Sequence, residues 1–303
     1  IRTHEPRESQ RDMTLAEFKG LVRQFPVLER VVLHGIGEPL LNSDLGAMIR
    51  LVKTEHPAAQ VLFNSNAVLL DEAWQTELID ARLDEFRVSI DGASADTYAR
   101  IRGIDALDTV IGNLRSFVSK VGSANLPRIS FWLTAMHENL PELPMLVDLA
   151  AELGVQEVYA QRLVLFEQGM ACSEQSPYGQ LRDQEEAALA EAARRAAKHE
   201  IAFRASGLVS PQESLRGKQD ESKPWSACFR PWNTTYVTAN GNVLPCCISP
   251  FSTADYSELV HGNVFEKPFA EIWNGAKYVQ RRAALGTDQP LEPCGRCGVH
   301  WSL

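Results

Sequence analysis

The sequence predicts an α/β protein with a small cysteine-rich unit at its C-terminal end. Three observations carry that expectation. Helix-length segments alternate with short apolar runs from residue 13 to about 165, those runs are rich in Val, Ile and Leu, and five of the six cysteines fall within the last 76 residues. Strands separated by helices imply parallel βα units, and continuous apolar runs suit strands covered on both faces. A parallel barrel and a doubly wound sheet both fit. In either, polar residues at the carboxyl ends of the strands line the site.

The elements follow in order. Residues 13–24 read as a helix with Thr14 as its N-cap, and 30–34 as a buried strand. Helical patterns at 44–55, 72–81, 94–101, 107–120 and 141–153 alternate with strand patterns at 60–64, 85–90, 128–134 and 156–160, giving five strands. Gly154 stops one helix, and Ser94 caps another. Residues 166–185 look like a loop, and 184–200 is a helix rich in Ala, Glu and Arg whose charges form a solvated face. Residues 206–226, polar with Gly, Pro and Ser, read as a linker, so the expected division is 1–205, then the linker, then 227–303.

Composition narrows the function classes. The chain has 303 residues, 30 Lys and Arg against 39 Asp and Glu, and a formal charge of -9. That balance argues against a protein that lives on nucleic acid or on an anionic membrane surface. No run approaches the roughly 18 apolar residues of a membrane span, and the first residues carry mixed charge rather than a secretion signal. A cytoplasmic, reducing setting is the expectation, and there the cysteines point to metal or cluster binding rather than to disulfides.

The strand ends carry the polar residues. After the first strand comes His34-Gly35-Ile36-Gly37-Glu38-Pro39, where two glycines let a backbone approach a ligand and Glu38 offers a carboxylate to an amine. A plain glycine turn with a surface Glu is the bland alternative. The second strand ends in Asn64-Ser65-Asn66 and the third in Ser89-Ile90-Asp91-Gly92, where Asp91 either meets a ribose hydroxyl or caps the turn. The fifth ends in Gln161-Arg162, where Arg162 either binds a carboxylate or closes a structural ion pair.

In the C-terminal unit Asn240-Gly241 stands between two strand-like runs, a strong hairpin signal. The hairpin would bring Cys228 and Cys246 together, and Cys294-Gly295-Arg296-Cys297 is a Cys-x-x-Cys knuckle. Four thiolates suit zinc or a [4Fe–4S] cluster, and spacing alone does not separate the two. Adjacent residues rarely both ligate one site, so Cys247 is either a buried small hydrophobe or a free thiol facing a pocket. Cys172, in its Gly/Ser-rich loop, reads as incidental.

Taken together these residues resemble the radical S-adenosylmethionine (radical SAM) superfamily, in particular members with an auxiliary-cluster domain of the SPASM or Twitch kind. Gly35-Ile36-Gly37-Glu38-Pro39 is similar to the family's Gly-Gly-Glu motif, and Asn64-Ser65-Asn66-Ala67 to its Thr-Asn-Gly segment. Ser89-Ile90-Asp91-Gly92 with Thr97-Tyr98 and Ile101-Arg102-Gly103 is a further block, and Cys228, Gly241, Cys246 and Cys294-x-x-Cys297 resemble the cluster domain. His261-Gly262-Asn263-Val264 and Glu271-Ile272-Trp273-Asn274 resemble the short helix between its halves.

The resemblance implies a partial (β/α)6 TIM-type barrel with a Cys-rich hairpin/α auxiliary domain. It implies S-adenosylmethionine as cofactor, its amine at Glu38 and the Gly35–Gly37 backbone, its ribose or carboxylate at Ser89 and Asp91, with Asn64 and Asn66 lining the pocket and Arg162 holding the carboxylate. It tips the four cysteines toward an auxiliary [4Fe–4S] cluster. The family's Cys-x3-Cys-x2-Cys loop, which holds the catalytic [4Fe–4S] cluster, does not occur among the 303 residues. The expectation is that this loop and a first strand lie upstream, the five strands against the family's six agreeing, and that these residues alone cannot hold the catalytic cluster.

The implied activity is reductive cleavage of S-adenosylmethionine to a 5′-deoxyadenosyl radical that abstracts a substrate hydrogen. If Cys247 faces the cavity and returns a hydrogen, the outcome is epimerisation; if the auxiliary cluster takes an electron, it is oxidation. The substrate expected is a carbohydrate-like natural product, with Trp132, Tyr159, Arg162 and His137 as candidate contacts; a peptide is the alternative, the chain then being a radical maturase. A flavodoxin-type or chemical reductant would supply the electron, with no nucleic-acid or membrane partner. Readings from other classes are a zinc-knuckle module on an α/β scaffold and a degenerate barrel that has lost catalysis.

Overall fold

A computed structural model of the chain describes residues 8–35, 37–122, 126–164, 171–207, 209–217, 225, 228–252 and 255–297. Six parallel strands form one open sheet in sequential order: β1 (Arg30–Val32), β2 (Gln60–Ser65), β3 (Glu85–Ser89), β4 (Arg128–Ala135), β5 (Glu157–Arg162) and β6 (Ala202–Ala205). Each neighbouring pair is parallel, with Asn64 opposite Arg87, Ser89 opposite Trp132 and Trp132 opposite Tyr159. The expected α/β architecture of a partial barrel is therefore present.

The helices run between the strands as the sequence spacing demands. They are α1 (Leu15–Val22), α2 (Leu45–Glu55), α3 (Glu72–Asp80), α4 (Ala95–Arg102), α5 (Leu107–Val121), α6 (Leu143–Leu153) and α7 (Asp183–Lys198). Thr14 caps α1 as expected: its hydroxyl accepts from Glu17 N–H while the Glu17 carboxylate accepts from Thr14 N–H, a reciprocal capping box. Gly103 and Gly154 end α4 and α6 in the left-handed conformation that favours glycine.

One face of the sheet is the core. Phe63, Phe86, Val88, Phe131, Leu133 and Val158 are buried there against Ile49, Leu78, Phe117, Leu146 and Leu189 of the helices. The ring pairs Phe63–Phe86 and Phe86–Phe117 meet edge to face at 5.3 and 5.5 Å. The opposite face is not core. Buried and half-buried residues alternate along β3, β4 and β5, and the half-buried set is Arg87, Ser89, Trp132, Thr134, Glu157, Tyr159 and Gln161. The expectation of strands covered on both faces is thus corrected: helices pack on one side only, and the other side lines the hollow of the barrel.

Three further expectations change. The strand count is six, because Ala202–Ala205 forms β6; its four residues carry no β-branched side chain and pair on one side only, so the pattern was weak. The arithmetic of five strands against six therefore falls away. The first strand is half exposed rather than buried, Arg30 and Val32 lying open at the sheet edge. The linker expected at 206–226 contains α8 (Pro211–Arg216), whose Leu215 is fully buried in the barrel core. Pro211 there is not a breaker but sits at the first helical position behind the Ser210 cap, with Glu213 completing a capping box.

The C-terminal unit begins with α9 (Arg230–Asn233) and the expected hairpin, β7 (Tyr236–Val237) and β8 (Asn242–Leu244). Gly241 closes its turn at φ +83°, where a Cβ would strike Phe265 and Asn263. After α10 (Tyr256–Leu259), a third strand β9 (Gly262–Asn263) pairs antiparallel with β8, and α11 (Phe269–Trp273) and α12 (Ala276–Leu285) complete the unit. Its core is small: Val243, Val264, Phe269, Ile272 and Tyr278 close around Leu21 of α1. Phe25 also packs on Phe269, ring centroids 4.6 Å apart, and the Gln24 side chain accepts from Phe269 N–H at 2.6 Å. Glu8 fastens the other side: its carboxylate accepts from Asn240 and Thr238 at 2.8 and 3.0 Å, and also from Asn242 and the Tyr256 hydroxyl.

Candidate functional site

The candidate residues form two constellations, one in the barrel and one in the C-terminal unit. The first is at the tips of β1 and β2. Glu38 begins the short turn Pro39–Leu41, and its carboxylate accepts from Leu40 N–H at 3.2 Å, Ser65 Oγ at 2.6 Å and Asn66 N–H at 3.0 Å. It therefore buckles the end of β1 to the end of β2, and three of its roughly four acceptor positions are used. Asn66 in turn accepts from Val68 N–H at 2.9 Å through its side chain, closing the turn over Ala67. Gly35, Gly37, Glu38, Asn64 and Asn66 thus gather at one place. Ile36 lies outside the described residues.

His34, at the same level, was not singled out from the sequence. Asn64 N–H donates to its Nδ1 at 3.2 Å, which leaves the ring proton on Nε2. Burial, and then the Arg87 charge, bring its pKa down to about 4, so the imidazole is neutral. Next to it the inner face of the sheet carries a continuous stack. The Arg87 guanidinium lies 4.1 Å from the Trp132 ring centroid, and Trp132 stacks on Tyr159 at 4.0 Å. Glu85 clamps Arg87 with two bonds of 3.0 and 3.1 Å and also accepts from Ser130 at 3.2 Å. Ser89 belongs to this face. The signal that could have found Arg87 is the period-two run Glu85-x-Arg87-x-Ser89.

Asp91 and Arg162 have partners within the polypeptide. Asp91 is 5% exposed; one oxygen accepts from Thr134 N–H at 2.7 Å and the other pairs with Arg102 at 2.9 Å. It ties β3 to β4 and to α4. Arg162 is 4% exposed on the outer side of β5, where its Nε donates to Ser214 at 3.1 Å and its guanidinium covers the Tyr178 ring at 4.7 Å. It holds α8 against the sheet. His137 likewise bonds Glu185 of α7 at 2.6 Å and stands apart from the hollow.

The second constellation is in the C-terminal unit. Cys228, Cys246, Cys294 and Cys297 line one cavity, with Arg230, Pro245 and Ile248 among its walls. Burial pushes the Cys228 thiol up and the Cys294 thiol up to about 11, and the neighbouring cysteines act in the same direction. Thiolates become favourable in such a place when a metal supplies positive charge. Zinc would need four sulfurs about 3.8 Å apart, given Zn–S bonds near 2.3 Å. Four thiols around one cavity suit such a zinc or a [4Fe–4S] cluster.

Cys247 is not among the residues lining that cavity, although Arg230, Cys246 and Cys228 are its electrostatic neighbours. Its sulfur accepts from Arg230 Nη1 at 3.6 Å, and burial pushes the thiol pKa up. Tyr236 is a further neighbour, its phenol raised by burial and then by Cys247 and Glu8. A methyl group built on Gly35 would come 3.1 Å from the Tyr236 hydroxyl. The Tyr236 hydroxyl of the hairpin thus lies close to Gly35 beyond β1, and Tyr236 also neighbours Cys247. Cys172 is exposed and caps its own turn through Gln175.

Comparison with known proteins agrees with this geometry. Residues 1–150 match the family model of the radical SAM superfamily, and residues 228–298 match that of the SPASM iron–sulfur cluster-binding domain. The chain is 25% identical over 282 residues to an AdoMet-dependent heme synthase of Methanosarcina barkeri, covering 89% of this chain and 73% of the relative. It is 24% identical over 265 residues to a PqqA peptide cyclase of Granulibacter bethesdensis, covering 86% of this chain and 64% of that one. The fold is similar to SuiB of Streptococcus suis bound to S-adenosylmethionine, with a TM-score of 0.69, 15% identity, and coverage of 92% of this chain and 63% of that chain. The chain thus spans under two thirds of the length of several proteins it matches.

Proposed function

The chain belongs to the radical SAM superfamily and carries a SPASM-type cluster domain, and on that premise we propose that it abstracts a hydrogen atom from a hydroxylated, carbohydrate-like substrate and returns one from Cys247, an epimerisation. Its cofactors are S-adenosylmethionine and [4Fe–4S] clusters. When bound and reduced, these supply the one-electron cleavage that yields the 5′-deoxyadenosyl radical.

This chain's residues do the rest. Gly35, Gly37 and Glu38 hold the backbone of the β1 tip open toward the cofactor, while Ser65 and Asn66 fix the Glu38 carboxylate. Asn64 and Ser89 offer polar side chains at the same level. The Nε2–H of His34 and the Arg87–Trp132–Tyr159 stack present donors and ring edges to hydroxyl groups. Seating the target C–H within roughly 3–4 Å of the radical is the main task of such a pocket.

The observation that carries the proposal is the position of Cys247. Its thiol is not in the cavity lining though Cys246 and Cys228 are near it, burial favours its S–H form, and it neighbours Tyr236, whose hydroxyl lies by Gly35. A hydrogen-atom donor must be a protonated thiol, so burial helps rather than hinders. The test uses the full-length enzyme in deuterated water. C247A is expected to form 5′-deoxyadenosine yet place no solvent deuterium in the product; unchanged incorporation would discard the role.

A second reading is a peptide maturase. It is favoured by the similarity to PqqA peptide cyclase over most of the chain. Substrate-dependent 5′-deoxyadenosine formation with peptides but not with aminocyclitols or sugars would select it.

A further inference from the structure

Arg281, in α12, has 4% of its surface exposed. A guanidinium stays charged at any ordinary pH, and burying one without a counter-charge costs several kcal/mol. Its Nε donates to His261 Nε2 at 3.2 Å, and its Nη1 donates to the Glu292 carbonyl at 2.9 Å and to Cys294 Sγ at 3.6 Å. His261 is neutral, its pKa brought down to about 3 by burial and then by Arg281 and its neighbours, and a carbonyl carries no net charge. Among the described residues no carboxylate pairs with Arg281, and the position is a cation with no anionic side chain beside it.

The sulfur it touches supplies that anion. Once the four thiols take up a cluster, Cys294 Sγ carries negative charge beside the guanidinium. We infer that Arg281 is a positioning residue for the auxiliary cluster: it furnishes a buried counter-charge at Cys294 and raises the cluster's reduction potential. Reduction here is the addition of one electron from an external low-potential reductant, with no bond made or broken. That added charge sits next to a fixed cation in a low-dielectric setting, so the reduced form gains more than the oxidised one. Arg230 also lines the cavity, but its guanidinium contacts Cys247 and it meets Cys228 through a backbone hydrogen bond.

The inference rests on the reading that the four cysteines hold an iron–sulfur cluster, and the experiment separates the two. The 303-residue chain is labelled with 15N-arginine, reconstituted anaerobically with iron and sulfide, and titrated with titanium(III) citrate under EPR. In R281Q the ratio of reduced to oxidised cluster at a fixed potential is expected to fall about tenfold, a midpoint about 59 mV more negative for one electron. R281K, which keeps the charge, is expected to lie between R281Q and the parent. Should R281Q take up no iron, the parent itself decides: pulse EPR is expected to detect arginine 15N coupling to the reduced cluster, and R281K to lose the guanidinium component that Arg281 supplies at Cys294 while the backbone coupling of Arg230 remains. A parent cluster with no such guanidinium component, or an R281Q cluster with an unchanged midpoint, overturns the role of Arg281. A parent that assembles no cluster instead overturns the reading of the cysteines, and this inference with it.

Discussion

The barrel and the C-terminal unit hold themselves together by different means. The barrel buries a long apolar layer between its sheet and its helices, and even its site residues are tied by internal hydrogen bonds, as Glu38 is to Leu40, Ser65 and Asn66. The C-terminal unit has one small cluster, part of which is Leu21 borrowed from α1, and a cavity ringed by cysteines. Hydrophobic burial suffices for the first. The second has too little of it, so its organisation depends on what the thiols bind. The tips of the barrel strands are tied by the polypeptide alone, whereas a cluster at the four cysteines would complete the C-terminal unit.

The largest expected effect follows directly. Removing iron with a chelator is expected to open residues 228–297 to rapid proteolysis and hydrogen exchange while the barrel keeps its far-UV signal. Equal protection in both forms would erase the contrast. Next comes the barrel core. F86A removes a fully buried ring that packs on Phe63 and Phe117, and is expected to cost about 3–5 kcal/mol in urea unfolding, with the cluster's absorbance surviving until the barrel melts.

A smaller effect tests the barrel's polar ties. Burial would raise the Glu142 carboxyl, but bonds from Ser94 Oγ at 2.6 Å, Thr97 Oγ1 at 2.7 Å and Ala93 N–H at 2.8 Å outweigh it and hold the pKa low. E142Q is expected to cost about 1 kcal/mol at neutral pH. A depressed carboxyl contributes stability that is present above its unfolded pKa and fades as the pH falls through the folded one. The difference between the parent and E142Q should therefore shrink on acidification, measured as the urea midpoint at pH 7 and pH 3.

The contrast between the two regions also explains what the sequence made legible. Capping residues, the Asn240-Gly241 hairpin and the four cysteines are local signals, and local geometry decides them. The Gly35–Glu38 and Asn64–Asn66 tips were legible because both follow strands at the same level of a parallel sheet. What was missed depends on partners far along the chain. Asp91 could not be seen to spend itself on Thr134 and Arg102, nor Arg162 on Ser214 of α8. The polar inner face was written plainly at Arg87, Trp132 and Tyr159, but the apolar residues between them dominated the pattern. Tyr236 gave no signal at all, since its meaning arises only where the hairpin meets Gly35.

The most direct measurement is the metal content of the anaerobically reconstituted 303-residue chain. The account predicts a brown protein absorbing near 400 nm, with about four irons and four sulfides per chain, lost together when Cys294 and Cys297 are replaced by Ala. A colourless protein holding a single zinc would contradict it.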